Sequence, residues 1–127
     1  WRPAEPHPSK IKKNRQQAAP AVGLVPNPDI LAEAAATEAA RTGRLFCVGF
    51  AAESEHLQAH ATAKRERKNV PLLVGNIGPS TFGADDNALL LVDAQGCVEW
   101  PRAPKIDLAR RLIGHVAKQM QSAGRGV

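Results

Sequence analysis

The chain has 127 residues, of which 43% are hydrophobic and 23% are charged. This composition is typical of one folded domain and excludes a disordered tail or a fibrous protein. The longest apolar run, Leu45–Ala52, is far shorter than the roughly 20 residues that a membrane-spanning helix needs. The chain does not begin with the pattern of a signal peptide, in which a charged segment precedes an apolar one, and this favours a cytoplasmic protein that does not bind membranes.

The charge balance indicates an anionic partner. Seventeen Lys and Arg residues stand against twelve Asp and Glu residues, which gives a net charge of +5. A basic domain of this kind suits nucleic acid or a phosphorylated small molecule. Aromatic residues make up only 4% of the chain and Tyr is absent, whereas readers of single strands and RNA commonly stack bases on aromatic rings. The composition therefore favours the small anionic ligand.

The cysteines and histidines do not predict a metal site. Cys47 and Cys97 lie in separate apolar segments without metal-ligand spacing, and we expect both to be reduced core residues. His56 and His60 are four residues apart on a predicted helix, but the residues between them lack the Glu of a zinc-hydrolase motif. A surface pair is the better interpretation of these two histidines.

Residues 1–20 contain four prolines and the basic run Lys10-Ile11-Lys12-Lys13, with no apolar period. This pattern predicts an extended, mobile loop rather than a helix or a central strand. The basic run by itself is compatible with a nucleic-acid patch, a phosphate clamp or a solvated loop.

Regular elements are predicted from residue 21 onward. Ala21–Val25 is a short apolar strand candidate. Asn27-Pro28-Asp29 then marks a helix start, with Asn27 as the N-cap, Pro28 at the first helical position and Asp29 in the first turn. The helix is expected to continue to about Thr42 and to end at Gly43.

A second strand and helix follow. Leu45–Phe50 is a continuous apolar run, which predicts a strand buried on both faces. Ser54 is the expected N-cap of a helix over Glu55–Lys68, and Asn69 is expected to end it. Pro71–Asn76 is the third strand candidate, with Pro tolerated at its first residue.

The last third of the chain predicts a loop, a hairpin and a helix. The loop is Ile77–Asn87. Ala88–Val92 and Cys97–Trp100 flank a four-residue hairpin connection, Asp93–Gly96. Apolar residues at helical spacing then predict an amphipathic helix from Lys105 to about Met120.

The order strand–helix–strand–helix–strand predicts an α/β fold, a three-layer parallel sheet with a β-hairpin at one edge. Ligands of such sheets lie beyond the carboxyl ends of the strands. Three loops are expected there, and they carry the carboxylates Asp29, Glu53, Asp85 and Asp86. A sheet of this size is small, so we expect a preceding half of the domain.

Lys64 and Lys68 are four residues apart on the second predicted helix, so their ammonium groups share one face. Basic residues in a last helical turn offset the helix dipole and are usually solvated. The residue pattern alone therefore favours a solvated face over a phosphate site.

Several motifs of this chain occur in the same order and spacing as in phosphopantothenate–cysteine ligase, and this resemblance covers about residues 1–117. The motifs are Trp1-Arg2-Pro3-Ala4, Lys10-Ile11-Lys12-Lys13, Asn27-Pro28-Asp29-Ile30-Leu31, Val48-Gly49-Phe50-Ala51-Ala52-Glu53, Lys64 with Arg67-Lys68-Asn69, and Phe82-Gly83-Ala84-Asp85-Asp86-Asn87-Ala88. In bacteria this ligase is usually the C-terminal domain of a bifunctional coenzyme A biosynthesis flavoprotein.

The resemblance implies a Rossmann-like α/β fold, a homodimer, and the use of CTP with Mg²⁺, while FMN would belong only to the decarboxylase domain of a bifunctional parent. The family activates the carboxylate of 4′-phosphopantothenate as an acyl-cytidylate and releases pyrophosphate. Cysteine then displaces CMP to give an amide.

The resemblance also assigns residues. Lys64 and Lys68 match positions that bind the nucleotide triphosphate, which replaces the solvated interpretation. Pro28-Asp29-Ile30 matches a cytosine-recognising turn, and Phe50 matches a residue that packs beside the nucleotide. Lys10 matches the flap lysine implicated in nucleotide contact and in the addition of cysteine, which makes it the expected catalytic residue.

Departures from the family pattern limit the resemblance. The family's Ala-x-Ala-Asp before the Trp-Arg-Pro segment and its Gly-rich phosphate loop are not in this chain, and Val70-Pro71 and Gly75-Asn76-Ile77 replace its usual residues. We expect a flap at 1–20, the C-terminal half of the ligase domain at 21–121 and a tail at 122–127, inactive as an isolated piece. The alternative is a non-enzymatic basic α/β module that binds nucleic acid or a partner protein.

Overall fold

The computed structural model describes residues 1–5, 9, 21–53, 55–77 and 83–123. In these described residues, six strands and four helices follow one another. They are β1 (Arg2–Pro3), β2 (Leu24–Val25), α1 (Ile30–Ala35), α2 (Glu38–Arg41), β3 (Val48–Glu53), α3 (Leu57–Lys68), β4 (Leu72–Ile77), β5 (Asp86–Asp93), β6 (Gly96–Pro104) and α4 (Lys105–Ala123).

The main sheet has four strands in the order β3-β4-β5-β6, and it is mixed rather than parallel. Strands β3 and β4 pair in parallel, with Val48 opposite Leu72. Strands β4 and β5 pair antiparallel, as do β5 and β6. Only residues 78–85 separate β4 from β5, which is shorter than the dozen or more residues of a parallel crossover. The predicted parallel sheet is therefore wrong beyond the β3–β4 pair, while the hairpin at the sheet edge is confirmed.

The strand expected at Ala21–Val25 does not join this sheet. It is shortened to β2, which pairs antiparallel with β1 in a separate two-stranded sheet. The Ala4 N–H donates to the Gly23 carbonyl at 2.9 Å and extends this pairing. Pro26 follows β2 directly and has no N–H to donate, which explains why the strand ends there.

The three predicted layers are confirmed, because the two faces of the main sheet carry separate apolar cores. Helices α1 and α3 cover one face, and α4 covers the other. The first core contains Ala35, Cys47, Ala51, Ala61, Val70, Leu73, Leu90 and Val92. The second contains Leu72, Val74, Leu91, Trp100, Leu108 and Leu112.

Strand β3 is not buried on both faces. It spans Val48–Glu53 rather than Leu45–Phe50, and its side chains alternate between the two faces. Gly49 and Ala51 are buried on the α1–α3 side, whereas Phe50, on the other side, is 64% exposed. Helix α4 packs on β5 and β6, so that Val48 at the start of this face of β3 contacts the second core while Phe50 stays exposed.

The first predicted helix is two short helices, and its N-cap is Asp29 rather than Asn27. An Asp29 carboxylate oxygen accepts a hydrogen bond from the Ala32 N–H at 3.2 Å. The Asn27 side chain instead donates to the Trp1 carbonyl at 3.3 Å. The helix breaks at Ala36, and the Thr37 hydroxyl caps α2 by accepting from Ala40 N.

The other helix boundaries follow the predictions more closely. Helix α3 begins at Leu57 rather than Glu55, after His56 in the left-handed region, and the expected cap Ser54 lies outside the described residues. Asn69, with a φ of 50°, ends α3 as predicted. Helix α4 extends the expected range to Ala123. Across the described chain, each helix is too short or too polar to cross a membrane.

The hairpin and the cysteines are close to the predictions. Asp93 pairs with Gly96, so the connection is Ala94–Gln95 rather than a four-residue loop, and β5 begins already at Asp86. Cys47 is buried in the first core and Cys97 packs against it, and no disulfide joins them.

Candidate functional site

The candidate site lies where the N-terminus of α1, the end of β3 and one face of α3 meet. Two lysines one helical turn apart on α3 reach two carboxylates on the neighbouring elements. Lys64 pairs with Glu53 at the end of β3, and Lys68 pairs with Asp29 at the N-cap of α1. Lysine side chains on a helix extend toward its N-terminus, which directs both ammonium groups toward these partners.

The Lys68–Asp29 pair connects two helices. The Lys68 ammonium donates to Asp29 Oδ2, while Asp29 Oδ1 accepts from the Ala32 N–H. These two hydrogen bonds, the one from Lys68 first, hold the pKa of the Asp29 carboxyl below its ordinary value of 3.8. Asp29 is therefore ionised at neutral pH and carries out two tasks, capping α1 and anchoring Lys68.

The Lys64–Glu53 pair connects the sheet to α3. Lys64 Nζ donates to Glu53 Oε1 at 2.8 Å, and His60 Nδ1 lies 3.6 Å from Glu53 Oε2. The hydrogen bond from Lys64 is the main cause that lowers the pKa of the Glu53 carboxyl below its ordinary value of 4.5. The carboxylate is thus negatively charged at neutral pH and neutralises the positive charge of Lys64.

These contacts separate the two lysines from an ordinary solvated face. The side chains of Lys64 and Lys68 are 30% and 20% exposed, and each ends on a carboxylate. An ammonium group has three N–H donors, and one donor on each lysine serves its carboxylate. The remaining donors can contact an anionic ligand without breaking either ion pair.

The other predicted site residues do not all lie beside the Lys64 and Lys68 face of α3. Pro28 and Ile30 flank Asp29 and are exposed. Phe50 lies on the opposite face of β3 from Glu53, because side chains alternate along a strand. Lys10 lies outside the described residues.

Residue patterns alone did not single out Glu53 as a partner of Lys64. Its position after a buried strand placed it among the edge carboxylates, but nothing in the spacing linked it to Lys64, eleven residues later. The interpretation of His56 and His60 as a surface pair agrees with the structure, in which both are exposed and their ring centroids lie 6.0 Å apart. The structure adds the approach of His60 to Glu53.

The described residues show no preformed site for the Mg²⁺ that the resemblance implies. Within the described part of the chain, no three His, Cys, Asp or Glu side chains come together as metal ligands. The two carboxylates at the site are already engaged with lysines. The described residues therefore do not form a resident metal site.

Comparison with known proteins decides the family. The sequence profile of the DNA/pantothenate metabolism flavoprotein C-terminal domain matches residues 1–120. The chain belongs to this family. The resemblance to the phosphopantothenate–cysteine ligase part of the bifunctional proteins is thereby confirmed.

Members of the pantothenate metabolism flavoprotein family match the chain over nearly its whole length. The coenzyme A biosynthesis bifunctional protein CoaBC of Vibrio cholerae is 36% identical over 94% of this chain, and that of Escherichia coli K12 is 34% identical over 98%. The chain spans about 30% of the length of these relatives. A crystal structure of the C-terminal domain of CoaBC has the same fold, with a TM-score of 0.64 at 22% identity, over 80% of this chain and 46% of that one.

Proposed function

We propose that the chain is the nucleotide-binding C-terminal portion of a CTP-dependent phosphopantothenate–cysteine ligase in coenzyme A biosynthesis. The observation that carries this proposal is the pair of anchored lysines on α3. Lys64 and Lys68 are each held by a carboxylate and each retain N–H donors for a ligand. Family membership supplies the reaction class, and the lysine pair supplies the contacts that a nucleoside triphosphate needs.

The lysine pair suits a chain of phosphates. Residues four apart on a helix have Cβ atoms about 5–6 Å apart, so both ammonium groups can contact one triphosphate. Hydrogen bonds between an ammonium and a phosphate oxygen are charge-assisted and stronger than neutral ones. The net charge of +5 adds a long-range attraction for the same ligand.

The turn before α1 is the proposed site of the base. Pro28, Asp29 and Ile30 are exposed beside the Lys68–Asp29 pair. Backbone groups of this turn, together with the Asp29 carboxylate, can recognise the amino edge of cytosine. Phe50, which is also exposed, would approach the nucleotide around the edge of β3.

The proposed reaction has two displacements. A carboxylate oxygen of 4′-phosphopantothenate attacks the α-phosphorus of CTP, the bond from that phosphorus to the β-phosphate oxygen breaks, and pyrophosphate leaves. Lys64 and Lys68 stabilise the charge that develops on the leaving pyrophosphate. The cysteine amine then attacks the acyl carbon, CMP leaves with the bonding electrons, and the amine loses a proton as the amide forms. Lys10 is the proposed residue for this second step.

We assign turnover to the gene product that carries this chain rather than to the isolated 127 residues, because the chain spans about 30% of its relatives. The alternative is a basic module that binds nucleic acid. Its affinity would fall log-linearly with salt and would show little base preference. The site favours the nucleotide, because Lys64 and Lys68 lie one turn apart on α3 and each is held by its own carboxylate.

A binding titration tests the proposal. The gene product is titrated with CTP, ATP and a single-stranded oligonucleotide at several salt concentrations. We expect CTP to bind more tightly than ATP at every salt concentration, and we expect pyrophosphate release only when 4′-phosphopantothenate is added. Equal affinity for CTP and ATP, together with tighter and strongly salt-dependent binding of the oligonucleotide, would support the nucleic-acid module instead.

A further inference from the structure

We propose that Glu53 is a positioning residue, which holds the Lys64 ammonium where the triphosphate binds and acts on the reaction only through that lysine. This inference rests on the proposed function, since it assigns Lys64 to the phosphates. It adds a residue that the sequence patterns left without a role.

Glu53 occupies a fixed place in the fold. It is the last residue of β3 and pairs with Ile77 of β4, so the sheet holds its backbone. Its side chain is 21% exposed and uses both oxygens, Oε1 for Lys64 at 2.8 Å and Oε2 facing His60 at 3.6 Å. Lys64 and His60 are one turn apart on α3, and one carboxylate therefore fastens this turn to the end of the sheet.

An ordinary surface pair in the same protein looks different. Arg44 and Glu38 approach to 3.5 Å, and their side chains are 69% and 76% exposed. Pairs of that kind contribute little, because solvent screens them and their side chains must be ordered. The shorter and more buried Glu53–Lys64 contact restricts the lysine much more.

The restriction of Lys64 has a consequence for catalysis. A free lysine side chain loses considerable rotamer freedom when it binds a ligand, and preorganisation avoids that loss. The Glu53 carboxylate also repels the phosphates, which opposes the gain in affinity. We therefore expect Glu53 to affect the placement of the ammonium in the transition state more than the affinity for CTP.

The charge state supports this role. The hydrogen bond from Lys64 lowers the pKa of the Glu53 carboxyl, so Glu53 is ionised at neutral pH. The other titratable groups beside it are His60 and, one turn along α3, the Lys68–Asp29 pair.

The test is a double-mutant cycle in the gene product, with Glu53→Ala, Lys64→Ala and the double variant. Glu53→Gln keeps the size and a hydrogen-bond acceptor, and Glu38→Ala is the control that removes an exposed carboxylate. Calorimetry gives the Kd for CTP, and single-turnover pyrophosphate release gives the rate of activation. Thermal melts show whether each variant is folded, and Glu53→Gln replaces Glu53→Ala if the alanine variant is not.

We expect Lys64→Ala to weaken CTP binding about tenfold or more, as for the loss of a charge-assisted contact. Glu53→Ala should change the Kd for CTP less than about threefold but slow pyrophosphate release about tenfold or more. Glu53→Gln should recover part of that rate. Glu38→Ala should change neither the Kd for CTP nor the rate of pyrophosphate release. The double variant should release pyrophosphate as slowly as Lys64→Ala alone.

Two results overturn the inference in distinguishable ways. If Lys64→Ala weakens CTP binding but Glu53→Ala leaves the rate unchanged, or slows it equally with and without Lys64, Glu53 is not a positioning residue and the proposed function stands. If Lys64→Ala leaves CTP binding unchanged, the proposed function fails and this inference fails with it.

Discussion

The Lys68 ammonium donates a hydrogen bond to the Asp29 carboxylate, and this contact joins the last turn of α3 to the N-cap of α1. The same carboxylate accepts from the Ala32 N–H. The residue assigned to cytosine recognition is therefore also the anchor of a lysine assigned to the phosphates. The base end and the phosphate end of the proposed nucleotide site are linked through this one side chain.

Two substitutions separate the roles of Asp29. Asn is as good an N-cap residue as Asp, so Asp29→Asn keeps the cap of α1 and loses only the charge opposite Lys68. Asp29→Ala loses both. We expect thermal denaturation followed by circular dichroism to give a lower Tm for Asp29→Ala than for Asp29→Asn. Equal Tm values for the two variants would show that the cap contributes nothing to stability.

The loss of the two ion pairs should be visible in how the free energy of unfolding changes at acidic pH. The pKa values of the Asp29 and Glu53 carboxyls are lowered from 3.8 and 4.5 by their lysines. A lowered pKa adds stability that is present above the ordinary value and is lost as the pH falls through the pKa of the folded protein. We expect urea denaturation to show Glu53→Gln less stable than the wild type at pH 7, with the difference shrinking toward pH 3. A difference that stays constant over this range would mean that the Glu53 charge does not stabilise the fold.

Gly49 is expected to be required by packing. A Cβ atom there would lie 2.7 Å from Leu73 Cδ1 and 3.1 Å from Leu31 Cδ2, and Leu73 is fully buried. Gly49→Ala should therefore lower the free energy of unfolding by about 1–3 kcal/mol, as overpacking does.

Gly114 on α4 is the matched control, because nothing lies within 4 Å of its Cβ position. Gly114→Ala should raise the free energy of unfolding by about 0.5–1 kcal/mol, since Gly is costly inside a helix. The same sign for both variants in urea denaturation would refute the packing argument.

Lys10→Gln in the gene product tests the role proposed for Lys10 in the second displacement. We expect the acyl-cytidylate still to form, while its capture by cysteine fails. Single-turnover assays for the acyl-cytidylate and for the amide product measure the two steps separately. Normal amide formation would remove Lys10 from the site, and loss of both steps would assign it to activation instead.

Local patterns predicted the elements better than their arrangement. The hairpin, α4 and the end of α3 at Asn69 were predictable because each depends on residues close in sequence. The direction of β5 relative to β4 and the exposure of Phe50 were not, because both depend on how distant elements pack.

The candidate site shows the same division. The helical spacing placed Lys64 and Lys68 on one face, but helix statistics favoured solvation. Their anchoring depends on Asp29, which is 39 residues from Lys68, and on Glu53 at the end of another element. No period in the sequence connects these positions, so only the fold could show that each lysine has a carboxylate partner.

The most direct test of the account is the affinity of the gene product for CTP after removal of each lysine. Isothermal titration calorimetry is carried out on the wild type, Lys64→Ala, Lys68→Ala and the control Lys118→Ala, which removes an exposed lysine of α4. We expect the Kd for CTP to rise about ten- to a hundredfold for Lys64→Ala and for Lys68→Ala and to stay unchanged for Lys118→Ala. Unchanged CTP affinity in both α3 variants, with both folded, would contradict the assignment of this face to the triphosphate.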